Sequence, residues 1–201
     1  MSDPEAEFWD HSYVSGDYRE HWEYAFPSQE LVAIVAAQTE RGAALDVGCG
    51  AGREAVFLAQ CGFDTIGVDI SPKAIEIATE RATDAGVKAD FRVGSFFELP
   101  VDDQSIDFVN DRGALHLVPE SERPNFAAEI FRVLKPGGKM FLRGASPKET
   151  EEHFTPITEA SVDLHFPPAQ FTRGEVLPIT LVSDSGVLDA RLVVLTKRED
   201  N

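Results

Sequence analysis

The chain has 201 residues, enough for one well-buried core and few for two. Its 43% hydrophobic and 26% charged content is that of a globular protein; no apolar run approaches a membrane span, and two cysteines, Cys49 and Cys61, exclude a disulfide framework. Thirty-five acids against 18 bases give a formal net charge of −17, which repels polyanions such as nucleic acid and disfavours anionic lipid surfaces.

Taken in chain order, Met1-Ser2-Asp3-Pro4-Glu5 is acidic and reads as neither signal nor transit peptide, so a cytoplasmic protein is expected. Residues 1–27 are rich in aromatics and acids and show no clear period. Ser28 is placed to cap a helix from Gln29 to about Arg41, with Leu31, Ile34, Val35 and Gln38 at helical spacing. A first strand follows near 43–47, then a helix over Glu54–Ala59 stopped at Cys61-Gly62. A second strand runs over Asp64–Asp69, and Ser71-Pro72 opens a helix that ends by Gly86. Strand three is expected at Ala89–Val93 and strand four at Ser105–Asn110. A helix from Glu120 to Leu134 is stopped by Lys135-Pro136-Gly137-Gly138, and strand five covers Lys139–Arg143. Alternating strands and helices imply a parallel sheet with helices on both faces. In the tail, Leu177–Ser183 and Ala190–Lys197 read as strands. The short Asp184-Ser185-Gly186 between them allows only an antiparallel connection. Residues 145–176, broken by Pro147, Pro156, Pro167 and Pro168, are the least readable stretch, and such inserts in compact domains are usually functional.

The stretch Leu45-Asp46-Val47-Gly48-Cys49-Gly50-Ala51-Gly52 carries the strongest signal. An apolar run enters a turn with glycines at alternate positions and leaves it as a helix, the form of a nucleotide-cofactor loop. Asp46 would repel a pyrophosphate, and Arg53 stands where the third glycine of the dinucleotide fingerprint would fall. Both oppose a nucleotide-dependent oxidoreductase. The loop suits instead a cationic, phosphate-free cofactor, S-adenosylmethionine (SAM). Asp69, about 20 residues on at the end of the second strand, is placed to bind both ribose hydroxyls. Cys49 fills a position that needs a small residue, and neither cysteine has the partner spacing of a metal site.

On these residues the chain resembles the class I SAM-dependent methyltransferases from about residue 40 to 145. The resemblance implies a doubly wound, Rossmann-like, mostly parallel seven-stranded sheet, with a reversed last strand beside strand five. It implies that Asp46, Gly48, Cys49, Gly50 and Gly52 border the methionine part of the cofactor, and that Asp69 and Ile70 border the ribose. Val93-Gly94-Ser95-Phe96-Phe97-Glu98-Leu99-Pro100 matches the stretch beside the adenine, with Ser95 and Phe96 in contact; Ser95 stands where the family often has Asp. Asp111-Arg112-Gly113-Ala114-Leu115 after strand four is similar to the thiopurine S-methyltransferase branch. Trp9-Asp10-His11-Ser12-Tyr13-Val14-Ser15-Gly16 is similar to that branch as well, though the glycine loop follows the general class I form. By that resemblance Trp9 and Tyr13 fold over the cofactor and Arg112 faces the acceptor. One domain over 1–201 is then expected, with 1–27 as a lid segment, 28–145 as the SAM-binding core and 146–201 as acceptor-side insert and final strands.

The expected chemistry is methyl transfer to a small molecule, a thiol or similar soft nucleophile first, an O- or N-methyl acceptor as the alternative. A SAM-binding module without catalysis is the reading from another class. A thiolate needs little more than alignment, and Arg112 could stabilise it by a charge-assisted hydrogen bond. A hydroxyl would need a base, for which Asp111, His116, His21 and Tyr18 are candidates by type and place. Each has a plainer reading: Arg112 paired with an acid, His116 a core histidine bonded to backbone, Asp111 a cap for the following turn, Trp22 a packing anchor. His165, before Phe166-Pro167-Pro168, either lines the pocket or sits in a loop. Oligomeric state has no signature in the sequence.

Overall fold

In a computed structural model the chain forms two compact units, Met1–Pro100 with Val182–Gly186 and Val101–Leu181 with Val187–Asn201. The structure describes residues 4–148, 154, 156–183 and 186–199. Asp184, Ser185 and residues 149–153 and 155 of the proline-broken insert therefore lie outside the described residues.

The first unit is built on three parallel strands in the order β3-β2-β1: β1 (Ala43–Val47), β2 (Asp64–Asp69) and β3 (Asp90–Val93). Leu45 and Val47 on β1 are buried, as expected for a strand covered on both faces. Two helices return the chain between strands, α4 (Arg53–Gln60) and α5 (Pro72–Asp84). Helix α5 starts where the sequence says it should. The Ser71 side chain accepts the Ala74 N–H at 3.0 Å and Pro72 occupies the first turn. Its buried face is Ala74, Ala78 and Ala82, small residues that let backbones approach. α3 (Gln29–Ala37) stops four residues short of the expected end. Arg41 is the reason: it folds back and donates to the carbonyls of Val35 (3.1 Å) and Gln38 (2.6 Å), satisfying the helix's last acceptors.

Residues 1–27, in which the sequence shows no clear period, contain two helices, α1 (Pro4–Ser15) and α2 (Tyr18–His21). Asp10 on α1 accepts from Ser71 Oγ (2.7 Å) and Lys73 N (2.9 Å), so an acid from the leader caps the start of α5.

The second unit holds the strand order β4-β5-β8-β6, with β7 on β8. β4 (Ile106–Arg112) and β5 (Leu134–Ala145) are parallel. β8 (Gly186–Lys197) lies antiparallel to β5, the reversed strand that was expected, and β6 (Phe171–Arg173) and β7 (Leu177–Ser183) both pair with it. The described residues thus form eight strands where seven were expected; β6, three residues inside the proline-broken region, is the addition. Strand β5 begins earlier than Lys139 because Lys135–Gly138 bulges out rather than ending the pairing. Ile106 faces Leu134 while Phe108 faces Lys139. Helix α7 (Arg123–Val133) is preceded by a 3-10 turn over Glu120–Glu122. In the insert, α8 (Glu159–His165) carries a capping box between Thr158 and Ser161. Phe126, Ile130, Met140, Phe141, Leu142, Val193 and Leu195 form the buried interior of this unit.

Candidate functional site

The glycine loop sits between β1 and α4, at the C-terminal end of the parallel strands, where α/β sheets bind ligands. Gly48, Gly50 and Gly52 have φ of +64°, +50° and +76°, a region closed to most side chains. The loop is pinned by Cys49 N–H to Val68 O (3.0 Å) and Gly52 N–H to Cys49 O (2.9 Å). Two of its glycines serve the protein's own packing. A Cβ at Gly50 would stand 2.5 Å from Tyr13 Oη, and one at Gly52 2.6 Å from Ala78 Cβ. Gly48 alone of the three is exposed.

Asp69 ends β2 beside this loop. Its Oδ2 accepts the Gly50 N–H at 2.8 Å and its Oδ1 the Ser71 N–H at 3.0 Å. Burial raises its pKa, opposed by the N–H groups of Ser71, Gly50 and Ile70. Each carboxylate oxygen so held keeps a further lone pair, which suits two neighbouring hydroxyls. Asp46 is buried at 4% exposure at the end of β1. Cys49 is buried with its thiol pushed up by burial and by Asp69 and Asp46, which keeps it protonated and supports a packing role. Beyond β3, Ser95 Oγ accepts the Phe97 N–H (3.1 Å), and Phe96 packs edge-on against Phe97 at 4.7 Å.

The leader is fastened to this loop. Tyr13 is buried, and its hydroxyl accepts from Trp22 Nε1 at 3.1 Å. Trp9 packs edge-on against Trp22 at 5.5 Å. Glu23 pairs with Arg53 (2.8 Å) and Arg81 (3.3 Å), and Arg81 also donates to Ala51 O at 2.6 Å. Glu54, buried on α4, accepts from Tyr24 Oη (3.1 Å) and Ser28 Oγ (2.5 Å). Asp10, Glu23 and Glu54 escaped the sequence reading. The available signals were an acid between two aromatics on one helix face and an acid on the apolar face of α4. The base candidates of the leader are placed otherwise. Tyr18 is 2% exposed and stacks on Tyr13, while His21 is exposed and stacks on Trp22.

In the second unit, Asp111 and Arg112 are the last residues of β4 rather than part of a following loop. Asp111 is fully buried. Its oxygens accept from Ala114 N (2.8 Å) and Leu115 N (3.2 Å), so it caps α6 (Ala114–Leu117). Burial lifts its pKa to about 7 against those N–H groups and Arg143. Arg112 is half-buried, in register with Arg143 of β5. His116, 8% exposed, accepts the Ala145 N–H on Nδ1 at 2.9 Å and stacks near Phe154 at 4.5 Å. Burial lowers its pKa to about 4, with Arg123 and Arg112 adding to the effect. His165 ends α8, 8% exposed, its Nε2 buried without a partner. The sequence-expected residues therefore fall into two groups, the cofactor set with Trp9 and Tyr13 in the first unit, and Asp111, Arg112 and His116 in the second. Among the described residues no group of acids, histidines or cysteines could hold a metal, and no helix is long and apolar enough to cross a membrane.

The strand-loop-helix-strand-acid geometry and the topology are those of the class I methyltransferase fold. Residues 44–138 match the family described as "Methyltransferase domain". The chain is 32% identical over 131 residues to a ubiquinone biosynthesis O-methyltransferase of Xanthomonas axonopodis pv. citri, covering 60% of this chain and 54% of that protein. It is also 32% identical over 126 residues to phosphoethanolamine N-methyltransferase 1 of Zea mays, covering 60% of this chain and 25% of that one. The chain thus spans about half and a quarter of the length of these two relatives. Among solved structures, one described as "Conversion of a Disulfide Bond into a Thioacetal Group during Echinomycin Biosynthesis" superposes with a TM-score of 0.85 at 24% identity, over 98% of this chain and 94% of that one. At that identity the likeness speaks for the fold.

Proposed function

We propose that this chain transfers a methyl group from SAM to a small-molecule acceptor, on oxygen or nitrogen. The observation that carries the reading is Asp69, a carboxylate at the end of β2 held by the backbone of the glycine loop, with lone pairs left for a diol. When bound, SAM supplies an activated methyl carbon on a sulfonium, which leaves as a neutral thioether. Asp69 and Ile70 would hold the ribose, Ser95 and Phe96 the adenine, and Asp46 with the exposed Gly48 the cationic methionine end. Tyr13 and Trp9 then orient the site rather than react. Tyr13's phenol is kept protonated by burial and the Asp69 charge, and Trp9 braces Trp22, which bonds it. Orientation of this kind is the main protein contribution to such a transfer.

The O- and N-methylating relatives favour oxygen or nitrogen over the thiol suggested by the Asp111–Leu115 resemblance. A small acceptor also suits a surface of net charge −17, which disfavours nucleic acid. The test is release of S-adenosylhomocysteine (SAH) with saturating SAM and a panel of phenols, amines and thiols. Turnover with phenols or amines and little with thiols is expected. Turnover with thiols alone would return the thiol branch, and SAM binding without turnover on any acceptor would leave a non-catalytic SAM-binding module.

A further inference from the structure

Glu23 gathers two arginines at the glycine loop, all of them within the first unit. Its Oε1 accepts from Arg53 Nε at 3.0 Å and from Arg53 Nη2 at 2.8 Å, and the same oxygen stands 3.3 Å from Arg81 Nη2. Arg81 Nη1 donates to the Ala51 carbonyl at 2.6 Å, and Arg53 directly follows Gly52. Two guanidiniums therefore stand against the loop, and one carboxylate answers both. The Glu23 side chain is only 12% exposed, so water and salt screen this cluster poorly. Its charge also reaches Tyr13, the neighbour of Gly50. Burial and the Asp69 charge raise that phenol's pKa, and the Glu23 charge adds to them.

Two arginines are a poor wall for a cationic cofactor. SAM differs from SAH by one methyl group and one positive charge on sulfur; the ammonium and the carboxylate of the methionine end are common to both. Uncovered guanidiniums beside the loop would repel the sulfonium and attract the carboxylate. We propose that Glu23 sets the chain's preference for SAM over SAH, by neutralising Arg53 and Arg81 and by keeping both guanidiniums off the shared carboxylate. Glu23 acts through the two arginines and is a positioning residue. The inference rests on the methyl-transfer reading above and adds to it how fresh cofactor is told from spent. Once the methyl group has left, the sulfur is neutral and the acid that favoured SAM gives SAH no such advantage.

The test is calorimetric titration of SAM and of SAH into the full chain at low ionic strength. Glu23→Gln keeps a side-chain oxygen for the Arg53 bonds and removes the charge. The ratio of SAM to SAH affinity should fall about threefold or more in this variant, with the loss falling on SAM. Adding Arg53→Gln removes one of the uncovered cations and should return the ratio toward its wild-type value. A merely structural tie predicts that both ligands weaken together and the ratio holds, and that result would overturn the proposal. So would a ratio that falls further when Arg53→Gln is added. A wild type that binds no SAM fails the methyl-transfer reading itself. A wild type that binds SAM, with the ratio unmoved in Glu23→Gln, fails this inference alone.

Discussion

Two buried groups, Asp111 at the end of β4 and His116 on α6, carry opposite pH dependences. Burial raises Asp111 from 3.8 to about 7 against its capping bonds. Between those values the folded chain keeps a proton that the unfolded chain has released. That contribution to stability is complete at low pH and is lost as pH rises through about 7. His116 runs the other way. Its lowered pKa means that its contribution is complete above 6.5 and is lost as pH falls toward about 4. Asp111→Asn removes the first dependence while keeping an acceptor for the α6 cap. In urea unfolding the wild type should lose about 2–3 kcal/mol relative to this variant between pH 5 and pH 8. A difference that stays constant over this range would mean that Asp111 is ionised throughout.

At the scale of elements, the cofactor loop and the leader form one packed object. Tyr13 occupies the space a side chain at Gly50 would need, and Trp22, Glu23, Tyr24 and Ser28 tie the following segment to the loop and to α4. Gly50→Ala should therefore destabilise the chain by about 1–3 kcal/mol, from strain at positive φ and from the collision with Tyr13. Tyr13→Phe, which removes the colliding hydroxyl, should recover part of that loss. A double-mutant cycle in urea tests the coupling, and strictly additive effects would contradict the contact. Most of these elements were legible in the sequence. The bounds of β1 and β2 follow from apolar runs closed by Asp46-Val47 and Asp69, and α5 from its Ser-Pro start and Gly86 end. Helix α1 was not legible because its aromatics and acids are spread around the helix; Phe8 and Val14 are exposed while Tyr13 is buried. The end of α3 was missed because it is set by Arg41 reaching back, a tertiary contact with no periodic trace. Lys135-Pro136-Gly137-Gly138 reads as a stop and is a bulge, because pairing with β4 resumes at Lys139. At the site, residue types and their order singled out a candidate cofactor set, but the direction of hydrogen bonds was invisible. That direction makes Asp111 a cap for α6 and engages His116 Nδ1 with the Ala145 N–H.

At the scale of the whole molecule, the fold, the match over residues 44–138 and the acidic surface support the proposed methyl transfer to a small acceptor. The fold by itself decides less, since one architecture hosts many chemistries. The weight rests on the loop and on Asp69. Calorimetric titration of SAM into the wild type and Asp69→Ala tests this most directly. The account predicts one SAM per chain and an affinity lower by about tenfold or more in the variant, from lost hydrogen bonds to a charged acceptor. Equal affinity in the two proteins, or no binding of SAM by the wild type, would contradict it.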